Sequence, residues 1–256
     1  MGLMRIRFVC AALLVSGAAH SQIADSPSAQ VAGIPVNYTE SLAGEYSLPD
    51  ALTFRNGKPV RNASDWTTKR RPEIVRLFEE NQYGRAPGRP AKMSFDVFDK
   101  GTPAFDGKAL RRQVTIYFNE AKAGPKLDLL LYLPANAGKR VPVLLNIAFT
   151  ANSNMVDDPG VKQGEVWSRE KKRVPASTGR RFGSLKVVPF LEAGIGVATF
   201  YYGDVEPDFA GGEPFGVRGL FHDSWGAIAA WAWGMSRALD YLETDSGVDA
   251  KRVAIT

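Results

Sequence analysis

Two stretches of this 256-residue chain, residues 141–149 and 195–201, are apolar almost without interruption. Alternating polarity marks a strand with one wet face. A continuous apolar run of this length marks a strand covered on both faces, as parallel strands in α/β folds are. Between residues 224 and 243 the period changes. Trp225, Ile228, Ala232, Met235, Leu239 and Leu242 recur at spacings of three and four, the stripe of an amphipathic helix, and Trp231, Ala238 and Tyr241 widen it. Ser224 or Asp223 stands where an N-cap belongs, and Gly247 where the helix region can close in a left-handed turn. Residues 248–256 then return to strand character. This alternation predicts a mostly parallel sheet with helices on both faces.

Upstream, Val114, Ile116 and Phe118 alternate with Thr115 and Tyr117, a half-buried strand. Residues 127–133 form a second strand, and the two read as an antiparallel hairpin. Pro72 suits the first position of a helix over about 72–83. Ile74, Leu77, Phe78 and Asn81 share one face of it, packing inward, and Gly84 and Pro87 end it. Residues 22–60, rich in small residues and proline, are expected to form an extended arm ahead of a domain over 61–256. The 45 residues between the two apolar strands make a long excursion of the kind that carries function or its own helix.

Residues 1–21 have the pattern of a secretory signal: Arg5 and Arg7, a short apolar core from Phe8 to Val15, and small residues at Ala19 and Ser21. Its removal would take away Cys10, the only cysteine, and His20, leaving His222 as the one histidine. The secreted or periplasmic protein would then have no disulfide and no thiol nucleophile, and a histidine-built metal site is excluded. The chain has 32 Lys and Arg against 27 Asp and Glu, and two of the arginines lie in the signal. That balance does not suit a nucleic-acid binder, and no membrane association is expected after signal cleavage.

No Gly-x-Ser-x-Gly, His-Glu-x-x-His, P-loop or dinucleotide fingerprint occurs in the 256 residues. His222 precedes the closing strand, whereas the catalytic histidine of a Ser-acid-His hydrolase on an α/β sheet follows the nucleophile. Ligands in open α/β sheets bind beyond the carboxyl ends of the strands. Two such ends are present, at 146–152 and 201–208, and they nominate Phe149, Asn152, Tyr202, Asp204 and Asp208 as cleft residues. Carboxylates beside aromatics suit sugar binding; turn capping by Asp204 and solvation of Asp208 are the competing readings. Arg169, Lys171, Lys172, Arg173, Arg180, Arg181 and Lys186 make the excursion basic. They read as a rim for an acidic polysaccharide or as a solvated face. The three tryptophans at 225, 231 and 233 suggest sugar stacking, but their phase sets at least two against the core.

The runs Arg70-Arg71-Pro72-Glu73-Ile74, Tyr201-Tyr202-Gly203-Asp204-Val205-Glu206-Pro207-Asp208 and Trp225-Gly226-Ala227-Ile228-Ala229-Ala230-Trp231-Ala232-Trp233-Gly234 are specific. With Val248-Asp249 and Arg252-Val253-Ala254-Ile255-Thr256, they resemble the N-terminal part of a bacterial glucuronoyl esterase of carbohydrate esterase family 15 over residues 60–256. The resemblance implies an α/β fold, the α/β-hydrolase three-layer sandwich, reaching as far as the strand before the nucleophile elbow. It implies a serine esterase acting through an acyl-enzyme on plant cell-wall glucuronoxylan–lignin esters, with no metal or cofactor. A serine followed by an oxyanion-supporting arginine, the acid and the histidine are expected after Thr256. The 256 residues are therefore expected to lack esterase activity by themselves. An acetyl xylan esterase, or a carbohydrate-binding protein without catalysis, are the competing assignments.

Overall fold

In the computed structural model, which describes residues 30–177, 184–221 and 224–256, the leucines of residues 127–133 decide the layering. They lie on β5 (Lys126–Pro134), where successive side chains point to opposite faces. Leu127, Leu129, Leu131 and Leu133 enter one core, and Leu130 and Tyr132 enter another on the far side of the sheet. Each fully buried leucine contributes about 1.5–3 kcal/mol. A strand buried on both faces is therefore apolar throughout.

Residues 30–59 and 60–256 form two compact units. The first holds a two-residue hairpin of β1 (Gln30–Val31) and β2 (Ile34–Pro35), turned through Ala32 and Gly33, both at positive φ. A 3₁₀ turn at Glu40–Leu42 follows.

The second unit opens with a helical segment that starts earlier than Pro72. Asn62 caps α1 (Ala63–Asp65), its Oδ1 accepting from the Asp65 N–H at 2.9 Å. A wide π turn at residues 66–70 leads into α2 (Arg71–Phe78), and a second wide turn ends before Gly84. Pro72 thus lies inside the helical path, where the wide turn before it accommodates the missing N–H. The packing expectation also needs correction. Leu77 and Phe78 stay 37% and 49% exposed, and only Arg70 of this segment is buried.

The main sheet runs β10-β6-β9-β5-β4-β3. Its members besides β5 are β3 (Ser94–Ala104), β4 (Ala109–Tyr117), β6 (Val141–Ala148), β9 (Gly196–Tyr201) and β10 (Val248–Ile255). The three strands β10, β6 and β9 are parallel, whereas β5 pairs antiparallel with β9, β4 with β5 and β3 with β4, so the sheet is mixed rather than mostly parallel: the hairpin strands join the same sheet as the parallel ones. The excursion carries α3 (Asn152–Met155), a hairpin of β7 (Glu165–Trp167) with β8 (Arg173–Pro175), and α4 (Val188–Glu192). Its Met155 and Leu191 cover one face of the sheet. After the one-turn α5 (Tyr202–Val205), the long α6 (Ala227–Leu242) covers the other face with Ala230, Trp233, Ala238, Tyr241 and Leu242. This is the three-layer arrangement expected.

The start and phase of α6 differ from the expected ones. The N-cap is Gly226, without a side-chain cap, so neither Ser224 nor Trp225 is helical. Ile228 is 58% exposed and Ala232 is exposed, while Ala230, Trp233 and Gly234 face the core. Gly247 lies outside the left-handed region; the turn is made instead by Asp245, whose Oδ1 accepts from the Gly247 N–H at 2.9 Å. The signal segment, His222, Asp223, Arg180 and Arg181 lie outside the described residues. Among the described residues, no helix is long and apolar enough to cross a membrane.

Candidate active-site crown

The parallel strands β10, β6 and β9 bring their carboxyl ends to one rim. Ala148 pairs with Tyr201, and the Thr256 N–H donates to Leu145 O at 2.9 Å, so the end of β10 lies just below that pair. Phe149 follows β6 and is 74% exposed. Tyr202 follows β9, and its ring meets Phe149 at 5.7 Å, Tyr201 at 4.9 Å and Trp231 of α6 at 5.1 Å. Burial, followed by the neighbouring Tyr201 and Asp208, pushes the Tyr202 hydroxyl up to about 12, so it stays a neutral donor at physiological pH. Asp208 is exposed on the chain leaving α5.

Asn152 and Asp204 sit beneath this rim. Asn152 opens α3, and its Nδ2 donates to Asp128 O at 2.8 Å. Asn152 Oδ1 is buried, with no partner among the described residues. It lines a cavity of about 20 Å³, the size of one water, together with Asp204, Asp128 and Gln113. The Asp204 carboxylate accepts from Arg173 at 2.7 Å and from the Asp128 N–H at 3.4 Å.

Trp167, which the sequence does not single out, and Arg173, which it marks only as part of a basic excursion, hold α5 in place. Trp167 Nε1 donates to Gly203 O at 2.8 Å, and an Arg173 amino group donates to the same oxygen at 3.1 Å. Glycine at 203 also makes room for the Tyr201 side chain, since a Cβ there would overlap its ring. On the other flank, fully buried Glu206 accepts from Arg218 Nε at 2.7 Å, and its carbonyl accepts from Trp231 Nε1 at 2.9 Å. Burial raises the Glu206 carboxyl despite the Arg218 contacts. Trp225 and Trp233, at 5% and 4% exposure, belong to the core, and only Trp231 reaches the crown.

Burial raises Asp204 to about 6, against the charge and hydrogen bond of Arg173. A carboxyl that binds its proton more tightly folded than unfolded adds stability below the unfolded value. That contribution is lost as pH rises through about 6. We expect Asp204→Asn to remove this dependence. Between pH 4 and 7 the stability difference between the parent and the variant should change by roughly 2–3 kcal/mol. Urea unfolding at both pH values measures it; a constant difference would show that Asp204 stays ionised throughout.

Among the described residues, no group of three or more His, Cys, Asp or Glu side chains could hold a metal ion.

The three layers, with candidate ligand groups beyond the parallel strand ends, make an open α/β fold, and its match to the glucuronoyl esterase structures described next puts it in the α/β-hydrolase class. Residues 165–256 match a family model described as "Glucuronyl esterase, fungi". A glucuronoyl esterase structure from Solibacter usitatus superposes with a TM-score of 0.77 at 45% identity, covering 83% of this chain and 57% of the other. A promiscuous CE15 esterase from a marine bacterial metagenome gives 0.73 at 36% identity, covering 86% and 58%. A carbohydrate esterase of an unknown prokaryotic organism is 38% identical, over 86% of this chain and 54% of its own length. The chain belongs to the glucuronoyl esterase family. It spans about half the length of the bacterial relatives it matches.

Proposed function

We propose that the protein hydrolyses carboxylic esters of glucuronic acid in plant cell-wall glucuronoxylan–lignin linkages, as a secreted or periplasmic serine esterase. The observation that carries this reading is the convergence of β10, β6 and β9 on the Phe149–Tyr202–Trp231 crown, on a chain 45% identical to a glucuronoyl esterase. Relatives from Podospora anserina and Schizophyllum commune, at 27% and 26% identity, are 4-O-methyl-glucuronoyl methylesterases. The signal-like residues 1–21 support the localisation.

The nucleophile in this reading is a serine on the turn that leaves β10. It attacks the ester carbonyl, the alcohol departs with a proton, and water then releases the glucuronate from the acyl-enzyme. Phe149, Tyr202 and Asp208 face the substrate. Asn152 and Asp204 support the rim from beneath.

The test is to clone the gene beyond codon 256 and assay its product on a benzyl ester of glucuronic acid and on acetylated xylan. We expect Gly-x-Ser-Arg-x-Gly in frame after Thr256, and turnover of the glucuronate ester alone. Turnover of acetylated xylan alone, or of neither, would sink the proposal.

A further inference from the structure

The Asp204 side chain, on α5, is 9% exposed, and its two oxygens are held from different sides. An Arg173 amino group donates to one at 2.7 Å, and the Asp128 N–H donates to the other at 3.4 Å. The same guanidinium donates to Gly203 O at 3.1 Å, and its Nε lies 3.5 Å from Glu165. Gly203 and Asp204 directly follow Tyr202, so Arg173 ties the backbone below the crown to β8. The water-sized cavity that Asp204 lines also holds an acceptor without a use. Asn152 Oδ1 is buried there and has no partner among the described residues. A buried polar atom left unpaired calls for an explanation. An ionised Asp204 can only accept, so it cannot satisfy that oxygen; a protonated Asp204 carries an O–H that can. The other charged and titratable groups around Asp204 are Asp128, Lys162 and Glu165 at the cavity, Lys126 on its outer side and Tyr201 from β9. The Asp128 carboxylate is already taken by Thr115 and Lys162. Burial raises the Tyr201 hydroxyl, which stays neutral.

We propose that Asp204 and Arg173 form a proton-operated catch that positions Tyr202: the ionised carboxylate holds Arg173 against Gly203 O, and a proton taken up by Asp204 releases it. The proton comes from solvent, and the new O–H donates across the cavity to Asn152 Oδ1. The guanidinium, having lost its buried counter-charge, turns toward Glu165, the carboxylate left to it. Trp167 still donates to Gly203 O, so α5 stays formed but is held from one side. The element with two arrangements is thus Arg173, shared between a buried and an exposed carboxylate. Burial outweighs the Arg173 charge and raises the Asp204 carboxyl, which brings the exchange within reach of mildly acidic conditions. The catch rests on the function proposed above only for what the crown serves: under that reading, the ester binds less well as pH falls.

Two of the five tryptophans flank α5 and report on it: the Trp167 indole donates to Gly203 O and the Trp231 indole to Glu206 O. Their ¹⁵N–¹H resonances are followed by NMR from about pH 8 to about pH 4.5. We expect both to move with one midpoint at about 6. Asp204→Asn, a neutral side chain of the same shape, should hold both at the parent's acid positions over the whole range. Asn152→Ala removes the acceptor for the proton and should lower the midpoint by about half a pH unit or more. Arg173→Gln should leave Trp231 unmoved, because the catch has lost its arm. Movement of Trp231 that survives in Asp204→Asn would assign it to Glu206, and movement of Trp167 alone would confine the proton to the hairpin; either overturns the catch. An unchanged midpoint in Asn152→Ala overturns the part given to the cavity, and movement of Trp231 in Arg173→Gln overturns the part given to Arg173. No ester is present in the measurement. Loss of the esterase reading would leave these titrations standing, and an active esterase whose indoles ignore pH would sink only the catch.

Discussion

Arg111→Leu is expected to lower the unfolding free energy by about 3–5 kcal/mol, read from urea unfolding at pH 7. Arg111 projects from β4 into a site where it and its partners are nearly closed to water. Its Nε lies 2.7 Å from Asp99, and an amino nitrogen lies 2.9 Å from Asp158. The Tyr132 hydroxyl donates to Asp158 at 2.7 Å, and Gln113 Nε2 to Asp99 at 3.1 Å. Leucine keeps much of the volume and leaves two buried carboxylates without their cation. Burial pushes both carboxyls up, but hydrogen bonds from Arg111 and its neighbours prevail and hold both below the ordinary range. Groups depressed in this way stabilise the fold above their unfolded values, and that stability is lost only as pH falls through the folded ones. In the variant, burial acts with less opposition and the carboxyls rise, so acid relieves the strain. The gap between the parent and Arg111→Leu should therefore narrow between pH 7 and about 4.5. A gap of constant size would mean that the loss is one of packing rather than of unpaired charge. The effect should extend beyond the core. Gly160 lies so close to the guanidinium that a Cβ would overlap it, and Asp158–Gly160 leads into β7, which carries Trp167. Arg111 thereby anchors the hairpin that grips α5.

The sheet interior was legible because its strands are buried on both faces. Residues 127–133, 141–149 and 195–201 had to be apolar, and that constraint is visible without a partner. The edge strand β3 left no such trace. One of its faces meets solvent, and its register shifts at Val97/Asp99 and Lys100/Thr102 interrupt the alternation. The phase of α6 is ambiguous in the sequence because Ile228, Ala229, Ala230, Trp231, Ala232 and Trp233 are apolar around most of the helix. Two stripes at spacings of three and four fit such a stretch. The buried one even includes Arg237, which lies 5.1 Å from the Trp233 ring centroid and pairs with Asp240. At the crown, Phe149 and Tyr202 are nominated by sequence because strand ends are where open sheets bind ligands, and the fold brings their rings to 5.7 Å. Trp167 and Arg173 were not assigned this role because they meet Gly203 from more than 29 residues away. The strands that carry them are three residues long, too short for a period to show.

Gly84 shows the same divide, and its replacement gives the second large effect. The sequence marks it as the end of a helix, which it is, at φ 74°. Only the fold reveals that its backbone lies directly against another. Gly84 bridges to Trp225, and the Gly226 N–H donates to Tyr83 O at 2.7 Å, so the helical segment 63–83 is fastened to the start of α6. An alanine Cβ would overlap Ser224 O and Trp225 Cα. These are main-chain atoms and have no rotamer through which to escape. Gly84→Ala is expected to cost about 3–5 kcal/mol, combining the left-handed backbone with forced separation of two segments. Gly107→Ala provides the reference. It has φ 81° and nothing within 4 Å of the added Cβ, so it should cost only about 1 kcal/mol, for conformation alone. The difference between the two variants in urea unfolding reads the overlap itself. Equal costs would mean that the 63–83 segment can draw back from α6 without loss. A large excess would mean that this contact fixes where α6 begins, and with it the position from which Trp231 reaches Tyr202.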